Sequence, residues 1–177
     1  CKDFILPLFQ ALGWDVYNRN EVTAEEKISG DRVDYGFYLN GRIKFYLEAK
    51  PFRADIHREE YAQQAIRYSW NKGVTWAVLT DFESLIVFNA LSPEKSLQGK
   101  RYFEIPYTEY LSRFEQLWLL SKESFVKDLL KINDFQYKIT TETMAPSCID
   151  ISKVLRNSVC GIFNNEDAKI RCPVEET

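Results

Sequence analysis

The chain has 177 residues, with 23 Lys and Arg against 26 Asp and Glu, one His and a formal net charge of −3. The length suits one domain with a sizeable core, and the 45% of hydrophobic residues are typical of globular chains. A single His excludes zinc sites with two or three His ligands and paired-His acid–base mechanisms, so hydrolytic chemistry would depend mostly on carboxylates, Lys or Cys. No apolar stretch reaches the ~18 residues of a membrane span, and the four cysteines form no disulfide pattern. We therefore expect a cytoplasmic protein without a membrane partner.

The predicted elements follow one another as helix, strand pair, helix, strand pair, short strand and two helices. They fall at residues 3–12, 33–39 with 43–50, 58–72, 74–79 with 85–90, 102–105, 107–119 and 122–132. The first helix starts or kinks at Pro7, and Gly13 ends it. Beyond Asn133 only one amphipathic helix, at 150–163, is predicted. This order indicates a mixed α/β domain at residues 1–132, and 133–177 as a helical extension or linker toward a downstream domain.

The strand pair carries the clearest local signal, because both strands alternate with period two around Asn40-Gly41. A strict two-residue turn would pair Leu39 with Arg42 and turn one strand's apolar face to solvent. We therefore predict a three-residue loop or a bulge at Asn40-Gly41-Arg42. Either arrangement places Asp34, Glu48 and Lys50 on one face of the hairpin.

Pairing Leu39 with Ile43 would set Asp34 opposite Glu48, with Cβ atoms roughly 5 Å apart. Two carboxylates that close repel each other unless a cation lies between them. Asp34, Glu48 and the Ala49 carbonyl would hold Mg²⁺, or alternatively Mn²⁺, and Lys50 would position the attacking water or neutralise the transition state. A solvated sheet face carries the same residue types, and it predicts Asp34 and Glu48 exposed on a flat surface.

Asp34 followed thirteen residues later by Glu48-Ala49-Lys50 resembles the Asp…Glu-x-Lys motif of the PD-(D/E)XK nuclease superfamily. Gln64 and Tyr68 match the Gln-x-x-x-Tyr motif of its RecB-like branch. Residues 6–14 resemble the opening of nuclease domains in type I restriction subunits and type IIG restriction-and-modification proteins. Residues 107–125 resemble the segment after the type IIG nuclease core. The resemblance covers about residues 4–132 in order.

The sequence departs from the superfamily pattern at two points. Val33 stands in place of the proline. Many members also take an acidic residue from the first helix, for which Asp3 is the nearest counterpart and Glu21 the alternative, unless the acid precedes Cys1.

The resemblance implies a restriction-endonuclease-like mixed β-sheet flanked by helices, and a Mg²⁺-dependent DNA endonuclease of a prokaryotic restriction–modification system. Asp34, Glu48, Lys50 and Gln64 would be the catalytic residues. Lys44, Arg53 and Tyr68 are the expected DNA contacts. Double-stranded DNA and other domains or subunits of the same restriction system are the expected partners. The alternative is a catalytically inactive nuclease-like domain that docks DNA or a larger complex.

Overall fold

The computed structural model describes residues 2–28 and 31–131. Its helices and strands are α1 (Lys2–Ala11), β1 (Val22–Ile28), β2 (Asp31–Leu39), β3 (Arg42–Ala49), α2 (Glu59–Asn71), β4 (Trp76–Thr80), β5 (Ser84–Asn89), α3 (Leu97–Lys100), β6 (Arg101–Pro106), a 3₁₀ turn (Tyr107–Glu109), α4 (Phe114–Trp118), α5 (Lys122–Val126) and a second 3₁₀ turn (Leu129–Lys131). The predicted helix at 150–163 and the extension at 133–177 lie outside the described residues. None of the described helices is long and apolar enough to cross a membrane.

Six strands form one mixed sheet in the order β1-β2-β3-β4-β5-β6. Among the strands in the described part of the chain, only β3 and β4 pair in parallel, because α2 carries the chain from the end of β3 back to the start of β4. All other neighbours pair antiparallel. The predicted fold class, a mixed α/β sheet flanked by helices, is confirmed.

The turn between β2 and β3 differs from the prediction. Leu39 pairs directly with Arg42, so Asn40-Gly41 is a two-residue turn, and both its residues have positive φ (52° and 72°). Such φ values suit a tight hairpin turn and favour the Asn-Gly pair. The prediction of a three-residue loop or a bulge at the turn is therefore wrong. A bulge inside the hairpin makes the register correction instead, because Tyr38 pairs with Ile43 and Phe37 with Phe45, which leaves Lys44 as the extra residue.

The larger core lies between one face of the sheet and α1, α4 and α5. Phe37 and Phe45 stack at 4.3 Å between ring centroids, and Phe125 stacks on Phe45 at 5.1 Å. Trp14 meets Phe45 edge-on, and its indole N–H donates to the Leu120 carbonyl at 2.9 Å. The segment after β6 is thereby fixed against the segment that follows α1.

Helix α2 covers the other face and buries a stripe of small and aliphatic residues. Ala62, Ala65 and Ile66 pack against strand residues that include Ala77, Leu79, Ile86 and Phe88. A smaller cluster next to it joins Val33, Tyr46, Tyr68 and Val74, with Ile43 packed against it. The odd-numbered apolar residues of the hairpin therefore do not share one face, because Val33 and Ile43 pack on the α2 side.

The predicted helices at 107–119 and 122–132 are wrong in extent, since this region forms short helical pieces. Ser121 separates two of them, because its hydroxyl caps α5 by accepting a hydrogen bond from the Ser124 amide at 3.1 Å. The Ser124 hydroxyl in turn donates to the Trp118 carbonyl at the end of α4. The predicted helix at the N-terminus extends through Pro7, with Lys2 as its first described residue.

Candidate active site

The candidate site lies where the parallel strands β3 and β4 end beneath α2. Glu48 pairs with Leu79 and Ala49 with Thr80, and the Lys50 amide continues the ladder by donating to the Thr80 carbonyl at 2.8 Å. Glu48 is buried, with 5% of its surface exposed. The reading of Glu48 as part of a flat, solvated sheet face is therefore wrong.

Lys50 is the centre of a network of short contacts. Its ammonium donates to Glu48 Oε1 and to Gln64 Oε1, both at 2.8 Å. The Gln64 side-chain amide donates to the Tyr68 hydroxyl at 2.8 Å, which orients the amide so that its oxygen faces Lys50. The Lys50 side chain is only 11% exposed. A buried ammonium needs such partners, because its desolvation is costly.

Asp34 joins this network through the backbone. Its Oδ2 accepts a hydrogen bond of 2.7 Å from the amide of Ala49, the residue between Glu48 and Lys50. The bulge at Lys44 makes this possible, since it restores the register in which Tyr35 pairs with Leu47. The structure thus brings Asp34, Glu48, Lys50, Gln64 and, through Gln64, Tyr68 together at one place.

The oxygen donors at this place suit a hard divalent cation. Asp34 and Glu48 contribute carboxylates, Ala49 contributes a carbonyl, and Mg²⁺ binds such ligands while it retains several waters. In the described part of the chain, no three His, Cys, Asp or Glu side chains form a group that could hold a metal ion. The donor set therefore fits a cation held by two carboxylates and water, with the Lys50 ammonium bound to one of these carboxylates.

Glu21, one of the two candidates for an additional acid, is engaged elsewhere. Glu21 forms an ion pair of 2.7 Å with Lys122 and accepts a 3.1 Å hydrogen bond from the Asp15 amide. Burial by itself would raise the pKa of Glu21, but the contacts with Lys122 and Asp15 outweigh it and lower the pKa. The side chain of Asp3 lies outside what the structure describes.

The two basic residues expected to contact DNA lie at different ends of β3. Lys44 is the bulged residue, six positions before Lys50, which at the rise of a strand corresponds to roughly 20 Å. It lines a cavity with Phe125 and Leu130. Arg53 lies in the exposed loop that follows Lys50, with φ of +65° and its guanidinium 5.6 Å from the Phe52 ring. Of the two, Arg53 is the closer to Lys50 along the chain.

Asp81 is a buried acid next to the candidate site. It belongs to no motif that the sequence predicts. The segment 80–84 is polar enough to predict a solvated turn, yet Asp81 is 2% exposed and Phe82 3%. Asp81 Oδ1 accepts from the Ser84 amide at 2.9 Å. Burial raises the pKa of Asp81, although hydrogen bonds from backbone amides and the charge of His57 act in the opposite direction. The only sequence signal was an Asp three residues before a Ser, a common turn pattern.

We expect Asp81→Asn to increase the free energy of unfolding near neutral pH. The raised pKa means that the folded protein holds this proton more tightly than the unfolded chain, so stability falls as the pH rises from the ordinary Asp value through the folded one. The asparagine keeps the side-chain oxygen for Ser84 but never ionises. Thermal unfolding across a pH series would show a gain near neutral pH that disappears below the ordinary pKa. Asp55→Asn, at an exposed position, is the control. A gain that persists unchanged in acid would contradict this explanation.

The mixed sheet brings two carboxylates and a lysine together near the ends of its parallel strands, and in sequence the chain is similar to a type II restriction enzyme. The chain is 31% identical over 140 residues to the type II restriction enzyme and methyltransferase RM.Eco57I of Escherichia coli. These residues amount to 69% of the chain but only 14% of that relative's length.

The chain was also compared with the solved structure of the type IIG restriction endonuclease BpuSI. The alignment covers 88% of this chain and 16% of the BpuSI chain, with 14% sequence identity and a TM-score of 0.45. No protein-family model matches the chain.

Proposed function

We propose that this domain hydrolyses phosphodiester bonds in double-stranded DNA with Mg²⁺, as the cleavage domain of a restriction–modification system. The observation that carries the proposal is the partly buried Lys50 ammonium, which lies between Glu48 and Gln64 at the ends of the parallel strands. The similarity to RM.Eco57I, a protein named as both restriction enzyme and methyltransferase, supports the same function.

Each residue of the network has a role in this proposal. Asp34, Glu48 and the Ala49 carbonyl would hold the cation, which when bound activates a water and offsets charge on the phosphate. Lys50 orients the attacking water or neutralises charge that develops on the phosphate oxygens. Gln64 holds the Lys50 ammonium, and Tyr68 fixes the Gln64 amide.

Binding of DNA would use this domain only in part. Arg53 extends from the loop beside the site and would contact a phosphate near the cleaved bond. Lys44, at the far end of β3, would contact DNA only well away from that bond. Because the whole chain has a net charge of −3, we assign most of the DNA affinity to other domains or subunits of the same system.

A second function is favoured by one observation, the ion pair of 2.8 Å between Lys50 and Glu48. This pair neutralises Glu48 without a metal, as a domain that docks DNA without cutting it would require. The two functions differ in a single property, because only the endonuclease must bind a divalent cation through Asp34 and Glu48.

The test combines calorimetric titration with Mn²⁺ and cleavage of supercoiled plasmid with Mg²⁺, both with the full-length protein. Glu48→Gln is expected to weaken Mn²⁺ binding at least tenfold and to abolish cleavage, because it removes one of two carboxylates. Glu104→Gln is the matched control, since Glu104 pairs with His57 and Arg101 away from the site. A wild-type protein that neither binds Mn²⁺ nor cleaves the plasmid would favour the docking function. Cleavage by Glu48→Gln at the wild-type rate would contradict the assignment of the site.

A further inference from the structure

Arg32 lies close to the candidate site in the chain but belongs to neither nuclease motif. It is on β2, two residues before Asp34, so at the rise of a strand the two Cα atoms are about 7 Å apart. The ladder between β1 and β2 continues beyond Asp34, because Arg32 pairs with Lys27 and Asp31 pairs with Ile28. Arg32 therefore lies on the part of this strand pair that extends past the candidate cation ligand.

The Arg32 guanidinium is exposed and holds an exchangeable partner. It forms an ion pair of 3.5 Å with Glu25, and the two side chains are 64% and 61% exposed. A pair that long and that exposed to water stabilises the fold very little. A guanidinium binds phosphate oxygens through the same planar set of N–H donors that it offers to a carboxylate. Arg32 can therefore exchange Glu25 for a phosphate without a large loss of stability.

Asp34 and Glu25 together make this side of the site acidic. The residues on either side of Glu25 pair with those on either side of Asp34, so the two acids lie across from each other on neighbouring strands. A DNA phosphate that approaches a cation on Asp34 also approaches Glu25, which repels it. Arg32 is a basic side chain in contact with Glu25, and its charge offsets this repulsion. An anionic substrate therefore needs a base here, and Arg32 supplies it.

We infer that Arg32 binds a DNA phosphate next to the cleaved one, and that this phosphate takes the place of the Glu25 carboxylate. The inference rests on the proposed function, because the position of the cleaved bond at Asp34 belongs to that proposal. The long arginine side chain starts about 7 Å from Asp34 along the strand, which brings a neighbouring phosphate within its reach. The inference adds a DNA contact on β2 to the one proposed for Arg53, which follows β3.

The first experiment measures the affinity of the full-length protein for a DNA duplex that contains the cleaved site, with Mg²⁺ and in the slowly cleaving Lys50→Met background. Arg32→Gln is expected to weaken binding about 3- to 10-fold and to reduce the slope of log Kd against log salt concentration by about 0.9, the value for one phosphate contact. Glu25→Gln is expected to tighten binding about 2- to 5-fold, because it removes the carboxylate that competes with the phosphate. Arg19→Gln is the control and is expected to change neither quantity, since Arg19 is exposed and precedes the opposite end of β1.

The decisive comparison locates the contact on the DNA. A series of duplexes carries a single uncharged methylphosphonate at each phosphate around the bond that the wild type cleaves. At one phosphate next to that bond, the replacement is expected to weaken binding of the protein that has Arg32. It is expected to have no further effect on Arg32→Gln, because that contact is already lost. Equal losses for both proteins at every position would overturn the inference, since Arg32 would then contact none of these phosphates.

The outcomes separate the inference from the proposed function. If the wild type cleaves DNA and Arg32→Gln leaves the affinity and the salt slope unchanged, the inference is wrong and the endonuclease proposal stands. If the wild type cleaves no DNA with Mg²⁺, the endonuclease proposal fails and the inference fails with it. If Glu25→Gln weakens binding as much as Arg32→Gln does, Glu25 holds Arg32 in its binding position and the proposed exchange is overturned.

Discussion

Lys50→Met is expected to reduce DNA cleavage by about 10²- to 10⁴-fold, the usual contribution of one group that handles a proton or charge in the transition state. Methionine has similar length but no charge, so it loses the contacts with Glu48 and Gln64 and leaves the packing largely unchanged. The same substitution is expected to tighten Mn²⁺ binding, because the competitor for Glu48 is gone. Cleavage rates and calorimetric titration on the same preparation measure both effects.

These opposite changes distinguish Lys50 from a residue that only stabilises the fold. Loss of folding would weaken cleavage and metal binding together. Lys72→Met is the matched control, since Lys72 is an exposed lysine at the end of α2 and lies away from Lys50. Cleavage by Lys50→Met within a few-fold of wild type would contradict the catalytic role.

Phe45→Ala is expected to lower the free energy of unfolding by about 3–5 kcal/mol, the usual cost of emptying a buried aromatic site. Phe45 has no exposed surface and contacts the rings of Phe37, Phe125, Trp14 and Phe9. The cavity would lie where the sheet meets both α1 and α5. Urea unfolding, followed by tryptophan fluorescence, measures the change.

Tyr17→Ala is the control for this substitution, because Tyr17 is 82% exposed and its removal is expected to change stability by less than about 0.5 kcal/mol. A loss of under 1 kcal/mol in Phe45→Ala would show that the surrounding rings close the cavity. That result would contradict the view of Phe45 as the centre of the core.

The hairpin shows what periodicity predicts and where it stops. Alternation along both strands identified β2 and β3, and the need to keep an apolar strand face out of solvent correctly indicated that an extra residue was required. Periodicity could not show where the bulge lies, because an extra residue anywhere between the turn and the first core pair would keep the apolar side chains buried. Asn40-Gly41 favours a tight turn strongly enough that the extra residue is Lys44.

The relative positions of candidate-site residues could be predicted where the residues share one strand or one helix. Glu48 and Lys50 share a strand, and Gln64 and Tyr68 share a helix, so their relative positions follow from local geometry. The burial of Asp81 depends instead on how the segment 80–84 packs within the tertiary fold. The contact between Tyr61 and Lys50 depends on how α2 lies on the sheet. The burial of Asp81 leaves no pattern in the sequence, whereas the spacing of Tyr61, Gln64 and Tyr68 does place the three side chains on one face of α2.

The helices after β6 were predicted with the wrong lengths. Leucines and aromatics at helical spacing indicated long helices, but such spacing does not reveal where a cap interrupts them. Ser121 ends one helical piece and begins the next, because its hydroxyl caps the first turn of α5. β1 was also not predicted, because its sequence, Val-Thr-Ala-Glu-Glu-Lys-Ile, does not alternate, and as an edge strand it need not bury a complete face.

The hydrogen bond from the Trp14 indole to the Leu120 carbonyl spans 106 positions of the chain, and the Lys122 amide donates to the Leu12 carbonyl beside it at 3.0 Å. During synthesis, α1 and the hairpin leave the ribosome long before α4 and α5 exist. The side of Phe45 that Phe125 covers must therefore stay exposed until about residue 125 has been translated and released from the exit tunnel. The nascent domain then passes through a period in which chaperone binding or aggregation competes with completion of its core.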